Sequence, residues 1–253
     1  MTGKGRGGPA TGVMLAALVV VLAGVGTGLL VAAFHAPPPR PPQPVAQARP
    51  ARLAAAVPAP EPASPTPAAH PPAAGSAPTA GTPDPQPGLA RSQPTRITIP
   101  KIGVAAPVVP VGLDRAGAVQ APPLAQAQLA GWYEPGPSPG EDGSAVIVGH
   151  VDSRRTGPGV FFRLGALRPG DTIEVTRADG ATVRFTVDGV EAYPKAAFPA
   201  GLVYGPAGPV ATAALRLVTC GGRYDARAHA YLDNVIVFAT LSPGQSTNES
   251  VHS

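Results

Sequence analysis

The stretch Thr172-Ile173-Glu174-Val175-Thr176 leads to an Asp179-Gly180 pair, and Thr182-Val183-Arg184-Phe185-Thr186-Val187 follows it. Alternation of β-branched or aromatic residues with polar ones is the pattern of strands with one buried face, and Asp-Gly suits the tight turn between two such strands. The stretch therefore reads as a β-hairpin. Outward from it the pattern recurs. Arg96-Ile97-Thr98-Ile99 alternates and is followed by Pro100-Lys101-Ile102-Gly103-Val104, while Ala145-Val146-Ile147-Val148 is a short apolar run. Residues 214–219 and Asn234-Val235-Ile236-Val237-Phe238-Ala239 supply two more strands. Helical stretches are short, at residues 161–167 and 122–129, and there is no internal repeat. The pattern predicts an all-β domain, a barrel or a sandwich, over residues 95–241.

The flanking sequence has a different character. Residues 13–34 run through Leu, Val, Ala and Gly without a charge, long enough as a helix to cross a bilayer. Lys4 and Arg6 precede this run and no acidic residue does, so residues 1–12 are expected in the cytoplasm and the remainder outside the cell membrane. Ala32 and Ala33 also suit a signal-peptidase site, but the length of the run favours an uncleaved single-pass anchor. Residues 35–94 are rich in Pro and Ala and contain no aromatic residue. They are expected to form a disordered linker, a plain spacer that holds the domain away from the membrane. Residues 242–253 form a polar tail. The net charge of +4 comes with no block of basic residues interleaved with aromatics, so no nucleic-acid partner is expected.

Within the domain the chemistry concentrates at two strand ends. Cys220, the only cysteine, ends the run Leu215-Arg216-Leu217-Val218-Thr219 and opens into Gly221-Gly222. A lone cysteine forms no intramolecular disulfide and no thiolate metal cage, which leaves packing or covalent chemistry. Two glycines beside it leave the approach to the sulfur uncrowded. His150 follows Val146-Ile147-Val148-Gly149 in the same way. His35, His70 and His252 lie outside the domain, and His229 is a second candidate neighbour of Cys220. No cofactor and no metal is expected: there is no phosphate-binding glycine loop, and His150 with Asp152 falls short of a ligand set.

These elements resemble the sortases. Ile97-Thr98-Ile99-Pro100-Lys101-Ile102-Gly103-Val104 is similar to the sortase opening strand. The Gly149-His150 and Thr219-Cys220 strand ends follow in the family's order, and Cys220-Gly221-Gly222 with Tyr231-Leu232-Asp233-Asn234-Val235 looks most like the class F group of actinobacteria. The resemblance implies a sortase-like β-barrel with short helices, a membrane-anchored cysteine transpeptidase with Cys220 as nucleophile and His150 as acid/base partner. It implies an LPxTG-like sorting signal on a secreted surface protein as substrate, and an amine of a peptidoglycan precursor or of a pilin as acceptor. Sortases usually carry an arginine at the start of the last strand, and here Leu232-Asp233-Asn234 has none. Arg216, four residues before Cys220 and on the same strand face, is the expected replacement, with Arg223, Arg227 and the amide of Asn234 as alternatives. The rival readings are a cell-surface β-barrel that binds without catalysis and an L,D-transpeptidase, whose Ser-His-Gly-Cys setting is missing around Cys220.

Overall fold

The computed structural model describes residues 39–45, 88–115, 117–206 and 212–242. The chain divides into two units, residues 1–40 and 41–253, and the fold below belongs to the second. The apolar run 13–34 and most of the linker and tail lie outside the described residues. Among those described, no helix is long and apolar enough to cross a membrane.

The hairpin forms as its alternation predicts. Strands β7 (Thr172–Arg177) and β8 (Thr182–Pro194) pair antiparallel, with Thr176 opposite Thr182. At the turn Gly180 takes φ +84, a conformation open to glycine, and its N–H donates to the Arg177 carbonyl at 3.1 Å. Ile173, Val175, Val183 and Phe185 are buried on one face.

Around this hairpin the sheet closes into a barrel of order β1-β2-β3-β4-β9-β10-β8-β7. The remaining members are β1 (Pro94–Ile99), β2 (Val104–Val111), β3 (Ala130–Tyr133), β4 (Gly143–Gly149), β9 (Ala213–Asp225) and β10 (Ala230–Leu241). The short strands β5 (Asp152–Ser153) and β6 (Gly157–Pro158) form a separate ribbon after β4. Two pairings are parallel, β2 with β3 and β4 with β9, and each needs a long connection. The second carries β5 through β8 and one short helix, α1 (Ala200–Tyr204). The expected turns at 161–167 and 122–129 appear as 3-10 turns, Leu164–Ala166 and Leu124–Gln126.

Strand β3 and the far half of β2 were not legible in the sequence. Pro107 and Pro110 lie within β2, where a missing N–H normally breaks a ladder. Pro107 falls where the partner changes, since β1 pairs with the strand up to Pro107 and β3 takes over from Val108, while Pro110 lies opposite Trp132 of β3.

Two apolar layers result. Inside the barrel Ile97, Ile99, Ala145, Ile147, Ile173, Phe185, Leu215, Leu217, Val235 and Val237 form the main core. Strands β4, β9 and β10 are also covered on their outer face, where Val146, Val148, Ile236 and Phe238 pack with Val203 of α1. Burial on both faces explains why these strands read as continuous apolar runs instead of alternating.

The ordered domain begins earlier in sequence than residue 95. The Leu89 N–H donates to the Gly140 carbonyl at 2.8 Å, and the Arg91 guanidinium lies 5.2 Å over the Trp132 ring while donating to the Glu134 and Gly136 carbonyls. The buried Arg177 donates to the Ala90 and Pro139 carbonyls. Residues 88–93 thus cover one part of the barrel, although they fall within the stretch read as linker.

Candidate active site

The parallel pairing of β4 and β9 sets the site. From Gly143 opposite Ala213 to Val148 opposite Val218, each residue of β4 faces the one 70 positions later in β9. Beyond the paired segment, side chains tie the connection after β4 to β9. The Thr219 hydroxyl donates to the Gly149 carbonyl at 2.8 Å, and the Arg154 guanidinium donates to the Tyr224 hydroxyl at 2.9 Å. His150 and Cys220 lie between these two ties, each two residues past the pair Val148 and Val218. His150 follows the end of β4, whereas Cys220, expected at a strand end, lies within β9, which continues to Asp225 because it stays paired with β10; both positions are on the face of the outer apolar layer. Both are half-buried, and the Cys220 thiol is free.

Glycines hold the histidine's backbone in place. A Cβ on Gly149 would lie 2.6 Å from Phe161 and Val160 atoms, and one on Gly159 would lie 2.4 Å from the His150 carbonyl oxygen. The Phe161 N–H donates to that carbonyl at 3.0 Å. At the ring, Nε2 lies 2.6 Å from the Pro122 carbonyl. A carbonyl only accepts, so Nε2 carries the proton and Nδ1 is the nitrogen left to take another.

Beyond Cys220 a polar canopy joins the loop after β4 to the β9–β10 hairpin. The Tyr231 hydroxyl donates to the Asp152 carboxylate, and the Tyr224 and Tyr231 rings meet edge to face with centroids 5.2 Å apart. Burial first, and the bonded Asp152 carboxylate second, raise the Tyr231 phenol above its usual range, with a smaller contribution from Cys220. The phenol thus stays protonated and keeps donating. Arg154 also contacts His229 Nδ1 at 2.6 Å. His229 therefore belongs to this canopy, where it faces a guanidinium, and it adopts φ +51.

The structure brings His150 and Cys220 together and does not bring Arg216 to them. Four residues of strand place the Arg216 backbone roughly 13 Å from that of Cys220. Its Nε donates to the Leu202 carbonyl of α1 at 3.2 Å, and its Nη1 to the Leu215 and Ala239 carbonyls at 3.1 and 3.2 Å. Its guanidinium also lies 5.1 Å over the Phe238 ring. Burial lowers its pKa to about 10, and Asp188 works against that shift. Arg223 and Arg227 are exposed, and Asn234 sits directly opposite Cys220 in the ladder. A guanidinium that does reach the Tyr224 and His229 side chains beyond Cys220 is that of Arg154. It lies in the loop after β5, where the sequence carries no periodic signal. Among the described residues no group of three His, Cys, Asp or Glu side chains converges on a metal position.

Comparison with known proteins follows from this geometry. The chain matches the Sortase domain family over residues 97–242. No curated protein sequence matches it. Among solved structures it is similar to the SrtA sortase of Actinomyces oris, with 25% identity over 63% of this chain and 87% of that one and a TM-score of 0.45. Similar too are sortase A of Corynebacterium diphtheriae as a lid mutant (21%, 63% and 75%, TM-score 0.46) and the pilus-related sortase C of Group B Streptococcus (19%, 62% and 70%, TM-score 0.44). The family match spans more than half of the 253 residues and contains both strand ends, and on that ground the chain belongs to the sortase family.

Proposed function

We propose that this sortase is a membrane-anchored cysteine transpeptidase that cleaves a sorting signal on secreted surface proteins and passes the acyl fragment to an amine. The observation that carries the reading is the shared β4–β9 offset, which sets His150 beside Cys220. In the first half-reaction the Cys220 thiolate attacks a substrate carbonyl and forms a tetrahedral intermediate. The C–N bond then breaks as the imidazolium of His150 gives its proton to the leaving amine, and a thioester remains on Sγ. In the second half an incoming amine attacks the thioester, neutral His150 accepts its proton, and Cys220 leaves. Water in place of the amine gives hydrolysis.

The intermediate carries an oxyanion, which a fixed donor stabilises. The Nε and Nη1 of Arg216 donate to three carbonyls and its guanidinium lies over Phe238, so we assign it to holding α1 against the sheet. Arg154 is exposed and, among the described residues, bonded to Tyr224 and His229 with no carboxylate partner, which supports it as the cation that meets the intermediate. The Cys220-Gly221-Gly222 and Asp233-Asn234-Val235 spellings favour class F, and membership of the family implies an LPxTG-like signal and a peptidoglycan or pilin amine. Residues 13–34 are the anchor in this reading, with the domain outside the cell.

The test is intact-mass analysis of the protein incubated with LPxTG-like peptides, beside Cys220→Ala and His150→Ala. A thioester adduct on the wild type that vanishes in Cys220→Ala is the expected result. A folded wild type with neither adduct nor cleavage across the panel, and an unreactive thiol, would favour a binding module instead.

A further inference from the structure

One short piece of the proline-rich linker is seated on the catalytic domain. Residues 41–45 read Pro41-Pro42-Gln43-Pro44-Val45, and the three prolines are half-buried. The Gln43 side chain makes two bonds. Its amide nitrogen donates to the Pro41 carbonyl at 3.0 Å, which turns its oxygen outward, and that oxygen accepts the Gly222 N–H at 2.8 Å. Three glycines receive the segment. A Cβ on Gly165 would stand 2.1 Å from the Pro42 carbonyl oxygen, and its three nearest neighbours all belong to Pro42 and Gln43. A Cβ on Gly221 would meet the Gln43 oxygen at 3.7 Å. No side chain larger than hydrogen fits at position 165 while the segment is docked.

Successive side chains of β9 alternate, so Gly221, buried against Val235, faces the barrel interior while Cys220 faces the outer layer. The Gly221 contact of the segment is therefore on the strand face opposite the sulfur. Its chemistry suits the surface: a proline-rich strand has φ preset and loses little entropy on docking, and one glutamine supplies the directional bond.

We propose that Gly165, Gly221 and Gly222 form a docking surface for an extended Pro-Pro-Gln-Pro segment, filled in cis by residues 41–45. The linker is then a ligand over those residues and a spacer only outside them. The proposal rests on the contacts of Gln43 and Pro42 alone and is independent of the catalytic reading.

Hydrogen exchange by mass spectrometry on the full chain tests it, following the backbone amide of Gly222 in wild type, Gln43→Ala and Gly165→Ala. Gly222 is expected to exchange at least tenfold faster in both variants, with unchanged thermal midpoints. A synthetic peptide of residues 37–47 added in excess should restore protection to Gln43→Ala and leave Gly165→Ala unprotected. Equal Gly222 exchange in wild type and Gln43→Ala, whose altered side chain is exposed, would overturn the proposal. Rescue of Gly165→Ala by the peptide would overturn the assigned surface.

Discussion

At the scale of single residues, the site is set by the parallel pairing of β4 with β9. His150 follows β4 where the pairing stops and Cys220 lies two residues past Val218 in β9, while Arg154 reaches Tyr224 from the loop after β5. If Arg154 meets the oxyanion, its loss removes a transition-state interaction and leaves the thiol in place. Arg154→Ala should lower kcat/KM for peptide cleavage by roughly 100-fold. Labelling of Cys220 by a thiol reagent should change little. Arg154→Lys keeps the charge but not the planar fork, and should recover only part of the loss. A full rate in Arg154→Ala would return the role to another donor. The Cys220 and His150 candidates were legible because both dipeptides close apolar runs in the order the resemblance supplies. Arg154 was not, because a loop arginine carries no periodic signal.

At the scale of elements, two arginines tie connections to the barrel. Arg216 joins β9 to α1 and β10 through three carbonyls. Truncation strands those acceptors and opens a cavity over Phe238, so Arg216→Ala should destabilise the fold by about 3 kcal/mol, read as a lower midpoint in chemical unfolding. A catalytic Arg216 would instead show a large loss of rate with stability kept. Arg177 closes the β7–β8 turn, bonded to Asp179 at 2.7 Å. That guanidinium holds the Asp179 carboxyl below its ordinary value of 3.8, against a small cost of burial. A depressed folded value means the contribution is fully present above the ordinary carboxylate value and fades as pH falls through the folded one. Asp179→Asn should therefore flatten the fall in stability below about pH 4 while lowering stability at neutral pH. Thermal midpoints of both proteins between pH 2 and 7 provide the check. The hairpin itself was legible from alternation and the Asp-Gly pair, whereas α1 was not, since five residues give no helical period.

At the scale of the whole molecule, the barrel reaches beyond the segment that looks like a domain. Residues 88–93 contribute the Leu89, Ala90 and Arg91 contacts, and residues 41–45 cover part of the Gly221-Gly222 turn. A chain beginning at Thr95 should melt several degrees below one beginning at Gly88, because it strands the Arg177 guanidinium and uncovers Trp132. Equal melting would show that residues 88–93 add nothing to the fold. The all-β class, the strand positions of the hairpin and of β9 and β10, and the chemistry of Cys220 were determined by the sequence itself. Alternation and turn residues are local, and a lone thiol limits its own uses. Which strands close the barrel, which carbonyls Arg216 bonds, and how residues 41–45 meet Gly165, Gly221 and Gly222 were decided only by the tertiary structure. Parallel pairing across 70 residues is a non-local contact, and no property of the separate segments encodes their register.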